Sequence, residues 1–148
     1  MVTMNEQDKN LMLDDILQPG QNYQMKIWGT IMADAKTYAL LGTLSEVVGS
    51  AAAVMGVLSN AYCYIGATEE YLNFVIVDSI NVRKIVNRLS IPFVNITGVK
   101  IKKGLLGRTT IILKFGNGRM KLALMDNTIG SDLAGQKEGV AMLCERLG

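Results

Sequence analysis

Side chains that commonly carry enzymatic chemistry are scarce in this chain of 148 residues. It has no histidine, which removes the commonest general base and metal ligand. The acidic pairs at 14–15 and 69–70 are adjacent in sequence, so they do not form a facing pair of carboxylates. Cys63 and Cys144 lie in apolar stretches without CxxC spacing, which indicates buried thiols in a reducing compartment. We therefore expect a cytoplasmic protein that is not an enzyme and uses no cofactor or metal.

The segment from Lys100 to Arg108 is the best local candidate for a contact site. Two leucines lie at the tip of a turn that is flanked by glycines, and basic residues surround them. The candidate contact residues are Lys100, Lys102, Lys103, Leu105, Leu106 and Arg108. Such a tip could enter an anionic membrane surface or dock on a protein partner. The alternative is that both leucines fold back over the end of the sheet.

Charge is distributed unevenly along the chain, although the net charge is only +2. Residues 1–77 carry a net charge of −5, residues 78–121 carry +9, and residues 122–148 carry −2. The +9 segment contains consecutive predicted strands, so its basic side chains share a face that favours an anionic partner. The alternative is a solvated strand face whose lysines and arginines discourage aggregation at the sheet edge.

Nucleic acid is another anionic partner that a basic strand face could bind. Such binding normally also needs exposed aromatic side chains or a helix that reads a groove. Phe93 and Phe115 are expected in the core, and the predicted C-terminal helix is not basic. We therefore do not expect nucleic acid as the partner.

Small residues recur at helical spacing between positions 33 and 61. We interpret this segment as a helical insertion after the first strand. The candidate contacts between copies of the chain are Gly49, Ala52, Ala53 and Gly56. A stripe of small residues lets another backbone approach closely, so we expect a homo-oligomer. A membrane span is disfavoured, because Glu46 and the polar residues offset the small gain from leucine and valine.

A predicted hairpin near the C-terminus sets the register of the last strands. Asn117-Gly118 is the preferred central pair of a two-residue type I′ turn, because both positions need φ > 0. The pairs that follow are Gly116–Arg119, Phe115–Met120, Leu113–Leu122 and Ile111–Leu124. The apolar residues of both strands then face the core, and the lysines at 114 and 121 face outward.

The remaining pattern predicts one domain, 1–148, with helices at both ends of a β-rich chain. A helical segment lies within 1–20, where residues 5–17 offer Leu11, Leu13 and Leu17 for packing and Pro19-Gly20 ends the helix. Predicted strands span 23–32, 62–67, 71–77, 82–91, 95–102, 108–115 and 119–125. A final helix from Ser131 to Leu147, with Ser131 or Asp132 as N-cap, would bury Leu133, Val140, Leu143, Cys144 and Leu147.

Three local patterns in this order resemble the bacterial pleckstrin-homology (PH) domain families. YIGATEEYL at 64–72 resembles their Y-x-G-x-T-x-x-x-L hairpin, and IPFVNITGV at 91–99 resembles I-P-Y-x-D-I-x-x-V. KGLLGR at 103–108 resembles their K-G-L-L-G turn. With the final helix, the resemblance covers roughly 62–147. It implies a mainly β fold with some α: a PH-like barrel or sandwich of seven antiparallel strands capped by a C-terminal helix.

The resemblance also implies a binding role, which here departs from the family in two places. Phosphoinositide-binding PH domains carry basic residues around the loop after the first strand, whereas the insertion at 33–61 has only Lys36. Asn95 stands where the family has an acid. We therefore expect a non-catalytic PH-like binding or assembly module that self-associates, with an unidentified ligand. The alternative is a peripheral membrane-surface module that contacts anionic lipid through the basic strand face and the apolar loop tip.

Overall fold

The computed structural model describes residues 4–33, 37, 58–78, 80–116, 118–126 and 133–148. The helices and strands are α1 (Glu6–Asp15), β1 (Met25–Ala33), β2 (Leu58–Ala67), β3 (Tyr71–Val77), β4 (Ile85–Pro92), β5 (Gly98–Lys103), β6 (Arg108–Phe115), β7 (Gly118–Met125) and α2 (Gln136–Leu147). Short 3₁₀ helices at Phe93–Asn95 and Leu105–Gly107 precede β5 and β6.

The seven strands form one antiparallel sheet in the order β4-β3-β2-β1-β7-β6-β5. Strand β1 is central, because it pairs with β2 on one side and with β7 on the other. This arrangement confirms the predicted mainly β fold with a seven-stranded antiparallel sheet and a C-terminal helix. The β4 and β5 strands lie at the two edges.

One apolar core joins both halves of the sheet to α2. Its members share the inward positions of their strands or the inner side of the helix, and they include Ile27, Ile65, Phe74, Leu89, Ile111, Leu113, Leu122, Val140 and Leu143. Because residues from β2–β4 and from β5–β7 belong to the same cluster, the sheet is folded over on itself. Burial of this apolar surface is the main force that holds the fold together.

Helix α1 covers the outer face of the β1–β3 half of the sheet. Asn5 caps its N-terminus by accepting a hydrogen bond from the Asp8 amide (2.8 Å). Leu13 of the helix and Ile16, which follows its end, share a buried cluster with Tyr64 and Val75. Tyr64 and Val75 pair with each other on the outward side of β2 and β3. Strand β3 in this half is therefore buried on both faces.

The apolar positions predicted for α1 are only partly correct. Leu13 is fully buried, but Leu11 is 62% exposed. The buried stripe instead runs through Lys9, Leu13 and Ile16, which are spaced four and three residues apart. Leu11 lies off this stripe, and its prediction as a packing residue was wrong.

Helix α2 begins later than the sequence predicted. It starts at Gln136, after Gly135 in a left-handed conformation, whereas the predicted caps Ser131 and Asp132 lie outside the described residues. The Gln136 side chain accepts from the Trp28 amide (3.1 Å) and donates to the Trp28 and Met125 carbonyls (both 2.9 Å). It satisfies backbone groups that the pairing of β1 with β7, which begins at Thr30, leaves open.

The predicted buried face of α2 is largely confirmed. Val140, Leu143 and Cys144 are buried in the sheet core, and Leu147 packs against it partly buried. Leu133 is also buried, but it precedes the helix and belongs to the cluster under α1.

The predicted register of the β6–β7 hairpin was wrong by two residues. Phe115 pairs with Gly118 and Leu113 pairs with Met120, so the turn contains Gly116, which has a positive φ of 61°. A shift of two residues preserves the faces, because side chains alternate with a period of two. The predicted inward residues of both strands are accordingly buried.

Most of the predicted insertion at 33–61 lies outside the described residues, as do the candidate contacts Gly49, Ala52, Ala53 and Gly56. Its predicted ends were wrong, because Ala33 belongs to β1 and Leu58–Ala67 forms β2. Ala33 pairs with Leu58, so the two strands continue into the predicted insertion. Among the described residues, no helix has the length and apolar character that crossing a membrane requires.

Candidate functional site

The turn between β5 and β6 presents two leucines to solvent. Leu105 is 88% exposed and Leu106 is 87% exposed, so neither folds back over the sheet. Leu106 has φ 59° and ψ 35°, a left-handed conformation that is costly for a leucine. Within the described part of the chain it is the one residue other than glycine with a positive φ. Residues with strained backbones are concentrated at functional sites, so this turn is a candidate contact site.

Backbone hydrogen bonds hold the base of this turn. The Gly104 amide donates to the Arg108 carbonyl (2.7 Å), and the Asp126 amide donates to the Gly107 carbonyl (2.9 Å). Gly107 takes a positive φ of 74° as the chain enters β6. The base is therefore fixed to the end of β7 while the leucines project from it.

The outer face of β5–β7 is basic. Its exposed cations lie at outward positions of the three strands: Lys100, Lys102, Arg108, Lys114, Arg119 and Lys121. The ion pairs recorded among the described residues are Glu6–Lys9 and Asp14–Lys26, so none of these cations is neutralised there. Lys103 is exposed at the end of β5, beside the turn. The structure thus brings all six predicted contact residues to one loop and the strands that enter and leave it.

The two outer faces of the sheet differ in chemistry. The β1–β3 half presents Tyr64, Val75 and Val77, and α1 covers them. The β5–β7 half presents its lysines and arginines, which remain exposed. Exposed cations that are concentrated on one face raise the local potential and attract anions.

A depression of about 280 Å³ lies on the outer face where β1, β7 and β6 meet. It is lined by Thr30, Met32, Arg108, Thr110, Lys121 and Ala123. Sequence reasoning singled out only Arg108 among these as a contact residue. The others could have been grouped only with the β1–β7 and β6–β7 registers in hand, because Thr30 and Thr110 both lie opposite Ala123.

A buried polar network lies on the other half of the sheet. Asn73 donates to Gln18 (3.1 Å) and to the Tyr23 hydroxyl (3.0 Å), and Ser90 donates to Asn73. The Tyr23 hydroxyl donates in turn to the Leu13 carbonyl, and burial raises the pKa of Tyr23 to about 12. These groups satisfy one another and tie α1 and the segment after it to β3 and β4, so their role is structural.

The cysteines do not offer an activated nucleophile. Burial raises the pKa of the Cys63 thiol far above its usual range, and burial also raises the pKa of the Cys144 thiol. Thiols with raised pKa values stay protonated near neutral pH, and the thiol is a poor nucleophile. In the part of the chain that the structure describes, no group of three His, Cys, Asp or Glu residues could hold a metal ion.

No family model, curated protein or solved structure matches this chain. The resemblance to bacterial PH domains therefore rests on the sequence motifs and stays a prediction.

Proposed function

We propose that this chain is a non-catalytic PH-like binding module that docks on an anionic membrane surface. Docking uses the basic outer face of β5–β7 and the Leu105-Leu106 tip. The strand order, the C-terminal helix on the core and the three sequence motifs support the PH-like assignment. The sequence left open whether the leucines fold back over the end of the sheet, and their exposure makes them available for insertion into a membrane.

The observation that carries this proposal is the exposed leucine pair among exposed cations that form no ion pair with another described residue. Burying a leucine side chain in an apolar medium contributes about 1.5–3 kcal/mol, and each basic residue near an anionic leaflet contributes about 1 kcal/mol. Neither contribution gives stable attachment alone, but the two act at the same loop. Peripheral attachment generally needs two such signals.

Sedimentation with lipid vesicles tests the proposal. We expect the protein to bind vesicles of phosphatidylcholine with phosphatidylserine and to stay in solution with phosphatidylcholine alone. Leu105→Ser should weaken binding by roughly tenfold or more, because the apolar contribution of the tip is reduced. Leu11→Ser is the matched control, since Leu11 is an exposed leucine on α1. Equal effects of the two substitutions would exclude the tip as the membrane contact.

The salt dependence of vesicle binding independently measures the electrostatic contribution of the basic face. The screening length falls from about 8 Å at physiological salt to about 3 Å at 1 M, so binding should weaken strongly over this range. Binding to anionic vesicles that is insensitive to salt would contradict an electrostatic contribution.

Self-association through 33–61 stays a prediction from sequence, because the candidate contacts lie outside the described residues. A homo-oligomer whose basic faces point to the same side would bind a membrane with higher apparent affinity than a monomer. Self-association and membrane docking are therefore compatible.

A further inference from the structure

We infer that the depression between β1, β7 and β6 binds the phosphomonoester group of a lipid headgroup. This inference rests on the proposed membrane docking and names the chemistry that the docked face selects. The depression lies on the outer face of the sheet, and its lining residues belong to β1, β6 and β7.

The floor and the two polar walls of the depression come from one row of the sheet. Thr30, Ala123 and Thr110 lie side by side on β1, β7 and β6. The Ala123 methyl is small, so the larger threonines on either side rise above it. Neighbouring strands are about 4.8 Å apart, which places the two threonine backbones roughly 9.5 Å from each other. Both hydroxyls can donate hydrogen bonds to oxygens that lie between them.

Two cations, Arg108 and Lys121, lie on opposite sides of this row of three residues. Arg108 precedes Thr110 by two residues on β6, and Lys121 precedes Ala123 by two residues on β7. Because β6 and β7 are antiparallel, the two cations flank the row from opposite sides. Arginine offers a planar fork that binds two phosphate oxygens, and lysine adds a compact charge. The four polar side chains thus surround a space suited to a tetrahedral, doubly charged oxyanion.

Size and location favour a headgroup over a larger ligand. The volume of about 280 Å³ lies just below the range of about 300–1,000 Å³ that is typical of pockets for drug-sized molecules. Arg108 follows directly after Leu105–Gly107, so the depression begins where the apolar tip ends. A tip inserted between lipid headgroups would bring this depression to the level of the phosphates. The second ionisation of a phosphomonoester, near pH 6, gives it more charge than a phosphodiester carries at neutral pH.

Vesicles that differ only in the acidic lipid test this inference. One set contains phosphatidylcholine with phosphatidic acid, which has a terminal phosphomonoester, and the other contains phosphatidylglycerol, which has a phosphodiester. The lipid fractions are adjusted until both sets have the same measured surface potential. We expect the protein to bind the phosphatidic acid vesicles several-fold more tightly. Equal binding to both sets would overturn the inference but leave the proposed membrane docking intact.

Variants separate the depression from the general charge of the face. Lys121→Ala and Thr110→Val should remove the preference for phosphatidic acid, and Thr110→Val should retain binding to phosphatidylglycerol vesicles. Lys114→Ala is the matched control, because Lys114 is exposed on the same face but does not line the depression. It should weaken binding to both sets by the same factor, about fivefold. Loss of the preference in Lys114→Ala would overturn the assignment to this depression.

Titration with soluble glycerol phosphate tests whether the depression binds the phosphate group of a lipid or that of a free ester. In NMR titrations we expect chemical-shift changes at the Thr30, Thr110 and Ala123 amides only at millimolar concentrations, because the soluble ester lacks the membrane contact. Tight binding of the soluble ester without any vesicle preference would overturn the lipid assignment. Thermal unfolding of each variant confirms that the fold is retained.

Discussion

Leu106 has a left-handed backbone conformation that reduces folding stability, and its side chain is exposed to solvent. With φ 59°, the position suits glycine, and a non-glycine residue there costs about 1–2 kcal/mol. Leu106→Gly should therefore raise the free energy of unfolding by about 1 kcal/mol while weakening binding to anionic vesicles roughly tenfold. Chemical denaturation and vesicle sedimentation measure the two effects separately.

Leu106→Asn is the companion variant, because asparagine tolerates the left-handed region but is polar. It should weaken vesicle binding as much as Leu106→Gly does. If both variants bound vesicles as the natural protein does, Leu106 would not be a membrane contact.

Lys9 is buried on α1, where the sequence pattern predicted that only leucines would pack. Its Nζ lies 2.7 Å from Glu6 Oε1 and donates to the carbonyls of Lys26 (3.3 Å) and Ala134 (3.1 Å). Charged residues are seldom this buried unless paired, and the Ala134 carbonyl is contributed by a residue 125 positions away. Local periodicity contains no information about such a partner, so the leucine pattern favoured Leu11 instead.

The Glu6–Lys9 pair makes stability depend on pH. Burial alone would raise the pKa of Glu6, but hydrogen bonds from Lys9 and the Ala134 amide lower it below 4.5. A lowered pKa in the folded state stabilises the protein above the unfolded value, and this contribution is lost as pH falls through the folded value. Glu6→Gln should cost about 1–3 kcal/mol at neutral pH, because Lys9 is left buried without its carboxylate.

Lys9→Met provides the contrast, because it removes the buried charge and keeps the apolar stem. Replacing a buried ionic group with an apolar one is often neutral or stabilising. Urea denaturation at pH 7 should show a loss of stability for Glu6→Gln and a smaller change for Lys9→Met. The loss for Glu6→Gln should shrink as the pH falls through the folded pKa of Glu6, because the natural carboxylate is then protonated as well. Equal losses would indicate that packing, and not charge pairing, fixes α1.

At the scale of elements, the β6–β7 hairpin shows how far a sequence pattern determines a strand pair. Alternation predicted which residues face the core, and the structure confirms it. The turn was misplaced because Asn117-Gly118 and Gly116-Asn117 both satisfy the two-residue rule. In the observed register Gly116 takes the positive φ, and Gly118 pairs within β7 opposite the large ring of Phe115. Turn preferences allow two positions for this turn, and the pairing between the strands determines which position is adopted.

Gly116→Ala tests this turn. A Cβ at Gly116 would meet no atom within 4 Å, so the cost is conformational and should be about 1–2 kcal/mol. Gly116→Asn should cost less, because asparagine populates positive φ more readily. Thermal unfolding measures both; equal costs for alanine and asparagine would contradict a left-handed backbone at this position.

The contact of α2 with β1 depends on a glycine. A Cβ on Gly139 would lie 2.4 Å from Ile27 Cγ2, and Ile27 is fully buried. Glycine to alanine within a helix normally stabilises by about 1 kcal/mol, so the sign of the effect is diagnostic. Gly139→Ala should destabilise by about 1–3 kcal/mol, because the helix must move away from the sheet. Stabilisation in a denaturation experiment would show that α2 does not pack this closely on β1.

At the scale of the whole molecule, the two halves of the sheet differ in the chemistry of their outer faces. The outer face of the β1–β3 half packs under α1, whereas the outer face of the β5–β7 half exposes lysines and arginines. The sequence predicted a basic face, because the +9 segment was contiguous. It could not predict the depression, since that site combines β1 with β6 and β7, and its walls come from residues about 80 positions apart in the chain (Thr30 and Thr110).

Self-association is the prediction that belongs to the whole molecule. The Gly49, Ala52, Ala53 and Gly56 stripe contributes little buried area per residue, so it stabilises a contact chiefly where backbones approach closely. The basic outer face of β5–β7 is a poor match for this apolar segment, whereas a second copy of the segment matches it well. Gly49→Leu or Ala53→Leu should therefore split the oligomer while the sheet stays folded, as measured by light scattering and circular dichroism. Leu105→Ser is the control and should leave the oligomer intact. A natural protein that is monomeric at tens of micromolar would contradict self-association, and docking would then depend on a single basic face and a single leucine tip.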